Sequence, residues 1–142
     1  MTVKQLSVFI ENRRGRLGEV LRVLKDNDVN ILSMSLADTT EYGLLRLIVN
    51  NPEKGRDVLL EAGFSSMLTD ILIVKVPHVA GALQSILSLI ADNEIDIEYM
   101  YGLSVEANDA TIVVKTNALE EACRVLKDNN IGTMTPEEIS SL

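Results

Sequence analysis

The sequence predicts an α+β protein in which one βαββαβ unit is used twice, with antiparallel sheets packed by helices on one face. Three observations predict it. Apolar residues alternate along short segments and then change to helical spacing, in the order strand, helix, strand, strand, helix, strand. The same order returns 66 residues later, through strands, loops and helices together. Half of a 142-residue chain is a length at which a lone core is marginal, so two units supporting each other is the stable solution. This element order is the split βαβ, or ferredoxin-like, arrangement. The expected division is residues 1–69 and 70–142, with Thr69-Asp70 as the boundary and no linker between the copies.

Leu6, Val8 and Ile10 alternate with Ser7 and Phe9, which predicts the first strand. Leu17, Val20, Leu21 and Leu24 follow at i, i+3, i+4 and i+7, one buried helix face. Asp26-Asn27-Asp28 ends that helix, and Val29 to Leu36 reads as the second strand. Ala37 to Gly43 is a polar turn leading into a third strand, Leu44 to Val49. Asn51-Pro52-Glu53 supplies a cap, a proline at the first helical position and an acidic first turn. That helix turns Val58, Leu59 and Ala62 inward and ends at Gly63. Phe64 to Leu68 is a short fourth strand, and Ile71 to Val76 begins the second copy, for eight strands and four main helices in all.

Adding 66 carries Leu6, Val8 and Ile10 to Leu72, Val74 and Val76, and Gly15 to Gly81. Leu17, Val20, Leu21 and Leu24 become Leu83, Ile86, Leu87 and Ile90, so Leu17, Leu21, Leu24, Leu83, Leu87 and Ile90 are expected to be buried. The same step pairs Leu47 with Val113, Arg46 with Ile112, and the cap Asn51 with Asn117. Thr135-Pro136-Glu137-Glu138 is a capping box opening a short last helix.

Composition excludes several classes. With 46% hydrophobic and 24% charged residues the chain is an ordinary globular protein. No apolar run approaches the ~20 residues that span a bilayer, and the N-terminus lacks the form of a signal peptide, so no membrane role and a cytoplasmic location are expected. A formal charge of −8, no Trp, two Phe and three Tyr argue against nucleic acid as a partner. The single cysteine, Cys123, forms no internal disulfide and reads as core. No His, Cys or carboxylate cluster has metal-site spacing, and no cofactor motif or catalytic signature occurs, so neither metal nor cofactor is expected.

The chemistry concentrates at two turns. Glu11-Asn12-Arg13-Arg14-Gly15-Arg16-Leu17-Gly18 joins a strand to a helix, a geometry that aims backbone N–H groups and the positive helix end at one spot. Cations are disfavoured at a helix N-terminus. Either Arg14 or Arg16 therefore helps hold a carboxylate or phosphate near Gly15 to Gly18, or these side chains point into solvent. Asn12 is read as a helix cap, a ligand contact or both. Arg46 is a lone cation within an apolar strand. The second turn, Val76-Pro77-His78-Val79-Ala80-Gly81-Ala82-Leu83, is uncharged apart from His78. Tyr99 and Tyr101 share one strand face, as a packed pair or as the wall of a ligand site.

These residues resemble the ACT domain, a βαββαβ module that typically binds amino acids and regulates amino-acid metabolism. The resemblance rests on Glu11 to Leu17 with Asp28-Val29-Asn30-Ile31, and again on Val76 to Leu83 with Glu94-Ile95-Asp96-Ile97. Ile97-Glu98-Tyr99-Met100-Tyr101 is similar to the second-repeat strand of stand-alone tandem ACT proteins. Two departures stand out. Arg14 and Ala80 occupy the place before the turn glycine where the family usually has Pro, and Asp96 replaces a frequent Asn. The resemblance implies a ligand at the strand-one–helix-one turn, facing the second strand of a neighbouring copy. It carries to Asn12, Arg14, Gly15, Arg16, Leu17 and Gly18, and by analogy to Pro77, His78, Gly81 and Leu83.

The expected function is a non-catalytic sensor that binds an amino acid or similar small zwitterion at the ACT interface. A homo-oligomer and a regulated enzyme or regulator are the expected partners. The alternatives are a structural or interaction module with a vestigial pocket, and an acylphosphatase-like hydrolase, for which Asn30 is the one nearby residue to orient water.

Overall fold

The computed structural model describes residues 1–38, 41–105 and 109–142. The chain divides into two compact units, Lys4–Thr69 with Ile139–Leu142, and Asp70–Glu138 with Met1–Val3. The elements run β1 (Val3–Glu11), α1 (Arg16–Asp26), β2 (Ile31–Asp38), β3 (Tyr42–Val49), α2 (Pro52–Glu61), β4 (Ser65–Pro77), α3 (Ala82–Asp92), β5 (Ile97–Val105), β6 (Asp109–Thr116), α4 (Leu119–Asp128) and α5 (Pro136–Ser140).

In the first unit β3 pairs antiparallel with both β1 and β2. Leu6, Val8 and Ile10 of β1 and Leu45, Leu47 and Val49 of β3 form one apolar face. Val20 and Leu24 of α1, Leu59 of α2 and Phe64 close over it. In the second unit β6 pairs antiparallel with β4 and β5. Leu72, Val74, Val76 and Val114 pack there against Ile86, Ile90, Ala122, Val125 and Leu126. Each unit thus has the predicted α+β build, antiparallel strands with its two main helices on one face.

Helix boundaries follow local chemistry. The Asn51 side chain accepts a hydrogen bond from the Lys54 N–H at 3.3 Å, with Pro52 at the first helical position. α1 stops where Asp28 turns left-handed at φ 57°, and Glu94 and Asn130 do the same after α3 and α4. The Thr135 hydroxyl accepts from the Glu138 N–H while the Glu138 carboxylate accepts from the Thr135 N–H, both at 3.2 Å, the predicted capping box.

The structure corrects several expectations. Eight strands become six, because Phe64–Leu68 and Ile71–Val76 are not separate: β4 runs unbroken from Ser65 to Pro77. Thr69-Asp70 carries no glycine or proline to end a strand. The counterpart of the fourth strand in the second copy shrinks to one bridge, Val74 with Thr133. The polar turn also narrows, since Ala37 and Asp38 still belong to β2 and β3 begins at Tyr42; Thr39 and Thr40 lie outside the described residues. Leu24 and Ile90 are buried as expected, but Leu17, Leu21, Leu83 and Leu87 are only half-buried. Val23 and Leu89 pack on the cores instead of Leu21 and Leu87, so each helix is rolled toward its i+6 position. Ala62 is exposed, and Gly55, two turns earlier, is buried.

The 66-residue step itself changes along the chain. Leu6 pairs with Leu47, but its counterpart Leu72 pairs with Val114, a step of 67. The extra residue is a bulge in β5, between Gly102 and Ser104, that β2 lacks. Beyond it every counterpart moves by one, which exchanges the two faces of a strand. The counterpart of Arg46 is therefore Val113, which is fully buried, and not Ile112. The helix α4 likewise starts from Ala118, not from Asn117, and its N-cap makes no side-chain hydrogen bond.

Candidate functional site

The two strand-to-helix turns share one backbone. Gly15 sits at φ 86°, ψ −11° and Gly81 at φ 86°, ψ −10°, left-handed values that side chains resist. In the first turn the Arg13 N–H donates to the Glu11 carbonyl, Arg16 to Arg13 and Glu19 to Gly15. In the second, Val79 donates to Pro77, Ala82 to Val79 and Ser85 to Gly81, the same three bonds 66 residues on. Neither helix has a side-chain cap. The first-turn N–H groups of Leu17 and Gly18, and of Leu83 and Gln84, take no partner among the described residues, as the open end of a helix dictates. The expected cap at Asn12 is thus replaced by Gly15; the Asn12 N–H instead donates to the Glu41 carbonyl at 3.0 Å.

The arginines have different fates. Arg13 pairs with Glu11 at 2.9 Å, both well exposed. Arg16 folds back: its guanidinium lies 4.4 Å from the centre of the Phe64 ring and its Nη1 donates to the Glu19 carboxylate at 2.6 Å. Its side chain is only 20% exposed, and its Nε is buried without a hydrogen bond. No group among the described residues pairs with Arg14, which is exposed beside Gly15. Leu17 packs on the first core, and Gly18 is exposed in the first turn of α1. A Cβ placed on Gly15, Gly18 or Gly81 would meet nothing within 4 Å.

At the second turn, Pro77, His78 and Leu83 line a cleft of about 370 Å³ together with Val79, Ala110 and Ile112. The strand residues Ala110 and Ile112 are additions to the sequence-based set. Their alternation in β6 puts them beside Leu83, a relation visible only once the bulge fixes the register. Tyr99 and Tyr101 stack with ring centres 6.5 Å apart and planes at 13°. They pair with Lys115 and Val113, outside the lining of that cleft. Among the described residues no group of three or more His, Cys, Asp and Glu is placed to hold a metal ion. Among the described residues no helix is long and apolar enough to cross a membrane.

A family model described as an ACT domain pair matches residues 1–142. The chain belongs to this family. A Bacteroides thetaiotaomicron protein of solved structure is 32% identical over 100% of this chain and 98% of its own, with a TM-score of 0.95. The regulatory subunit of aspartate kinase from Thermus thermophilus, in a ligand-free form, matches at 14% identity over 88% of this chain and 91% of its own, TM-score 0.64. That from Thermus flavus matches at 14% identity, 88% and 90%, TM-score 0.60. These two likenesses concern the fold. No curated protein sequence matches. The ACT pair thus presents two backbone-identical turns that differ in their side chains: one cationic, one apolar.

Proposed function

We propose that this ACT domain pair is a non-catalytic regulatory protein that binds an amino acid at the first turn. The carrying observation is the conjunction at residues 14–18: an exposed Arg14, a left-handed Gly15, and first-turn N–H groups of Leu17 and Gly18, with no partner for Arg14 or for those N–H groups among the described residues. A carboxylate accepts charge-assisted hydrogen bonds from such donors, and the helix end adds favourable potential. Arg14 is the cation that meets it; Arg16 holds the turn in place through Phe64 and Glu19. The second turn, with its apolar cleft and His78, takes a carboxylate poorly. Binding alters a partner enzyme or self-association by the difference in ligand affinity between two states.

The test is a thermal-shift screen of the twenty amino acids, followed by calorimetry. A ligand at ~100 times its dissociation constant adds ~2.7 kcal/mol of stability. The reading expects one such ligand, with binding weakened by Arg14→Gln and by Gly15→Ala but kept in Gly81→Ala. No shift from any amino acid favours a module with a vestigial pocket instead.

A further inference from the structure

The first unit fills a place that the second leaves open. In the first, the Arg16 guanidinium covers Phe64 and is held by Glu19. The second-copy counterparts, by the step of 66 before the bulge and 67 after it, are Ala82, Ile131 and Ser85. Those three residues line a cleft of about 670 Å³ between α3 and the segment after α4, a size that accommodates small molecules. Its floor is apolar, from Ala82, Ile86 and Ile131. A methyl group replaces the long arginine, and no guanidinium lies in the lining.

The acidic partner has moved rather than vanished. Ser85, in place of Glu19, turns its hydroxyl to the Gly81 carbonyl at 3.0 Å. Asp109, at the start of β6, brings a carboxylate to the same cleft. Its first-copy counterpart is the neutral Tyr42. Lys75 also lines the cleft, but its ammonium is paired with Glu138 at 3.3 Å. The C-terminal cap of α4, Asn129, forms part of the wall, and the negative end of a helix favours a cation.

We propose that this cleft in the second repeat binds a small free alkylguanidinium, which occupies the place that the Arg16 side chain fills in the first repeat. The alkyl group lies on Ala82 and Ile131, and the planar head faces Asp109. The site is separate from the amino-acid site at residues 14–18 and stands whether or not that site binds.

The test is a titration of the whole protein with ethylguanidinium, followed by amide NMR, with ethylammonium as the comparison. The proposal expects saturable shifts at Ala82, Ser85 and Ile131, with weaker binding of ethylammonium, which lacks the planar head. Asp109→Asn, at an exposed position, weakens binding about two- to fivefold, the range of a solvent-screened ion pair. The triple variant Ala82→Arg, Ser85→Glu, Ile131→Phe gives the second copy the first copy's own filling and abolishes binding. If that variant does not fold, Ala82→Leu blocks the cleft and makes the same decision. Absence of saturation below the denaturing range, shifts confined to other residues, equal binding of ethylammonium, or unchanged binding in Asp109→Asn overturns the proposal.

Discussion

Whether Arg16 is a ligand contact or a structural clamp is decided by a double-mutant cycle between Arg16→Ala and Phe64→Leu. Single substitutions mix opposing effects. Removing Arg16 loses the ring contact and the Glu19 pair, yet it also relieves a cation at a helix N-terminus and a buried Nε with no partner. The cycle isolates the coupling between the two side chains. The guanidinium is 4.4 Å from the ring centre, inside the ~6 Å range of the interaction. Phe64 is 4% exposed and the Arg16 side chain 20%, so the contact is largely desolvated. That places the coupling in the upper part of the ~0.5–2 kcal/mol range, about 1–2 kcal/mol. Urea denaturation of the four proteins measures it. A coupling below ~0.3 kcal/mol, within additivity error, together with loss of amino-acid binding in Arg16→Ala, refutes the clamp and makes Arg16 a ligand arginine.

Leu24→Ala lowers stability by ~2–5 kcal/mol, whereas Leu21→Ala, at a half-buried position, costs clearly less; equal losses in urea melts contradict the rolled helix. Gly55→Ala gains ~1 kcal/mol of helix propensity but puts a Cβ 2.9 Å from the fully buried Leu6, and overpacking at ~1–3 kcal/mol wins; a raised melting temperature counts against it. The Thr135 N–H first, and Lys75 next, hold the Glu138 carboxyl below its ordinary value near 4.5. The contribution of this depressed group to the α5 cap is present above that value and is lost as pH falls through the lower folded one. The protection factor of the Thr135 amide, whose N–H the Glu138 carboxylate accepts, therefore falls on the acid side in the native protein and does not change with pH in Glu138→Gln, once the intrinsic pH dependence of exchange is divided out.

Most of the fold was legible because its signals are local. Alternation marked β1, spacing marked α1 and α3, and Asn51-Pro52 and Thr135-Glu138 marked their own helix starts. What was not legible depended on partners distant in sequence. The roll of α1 is set by what fills the core beside Val20, and the apolar stripe alone admits Leu21 and Val23 equally. The inward turn of Arg16 needs Phe64, 48 positions on, and a helical pattern alone points residue 16 outward. The bulge at Gly102 to Ser104 changed the pairing of the copies without disturbing the alternation that identified the strand. It led to the comparison of Arg46 with Ile112, a residue of the opposite face. The turn glycines were readable as a pair, but which arginine of the turn finds no partner among the described residues was not.

The likeness of the two turns sets a limit on any account of ligand binding here. Their glycine dihedrals agree within a degree, and three backbone hydrogen bonds repeat at equivalent positions. A ligand held by backbone N–H groups alone therefore finds two equal sites per chain. A ligand that also needs Arg14 finds one, because its counterpart is Ala80. A charge-assisted hydrogen bond contributes ~1.5–3 kcal/mol, and ~1.4 kcal/mol is tenfold in affinity. The two turns then differ at least about tenfold, enough for calorimetry to return one site per chain. Arg14→Ala removes that difference, and Ala80→Arg brings the second turn toward the first. Two sites of equal affinity in the unaltered protein mean that the backbone dominates and that the cationic turn has no special role.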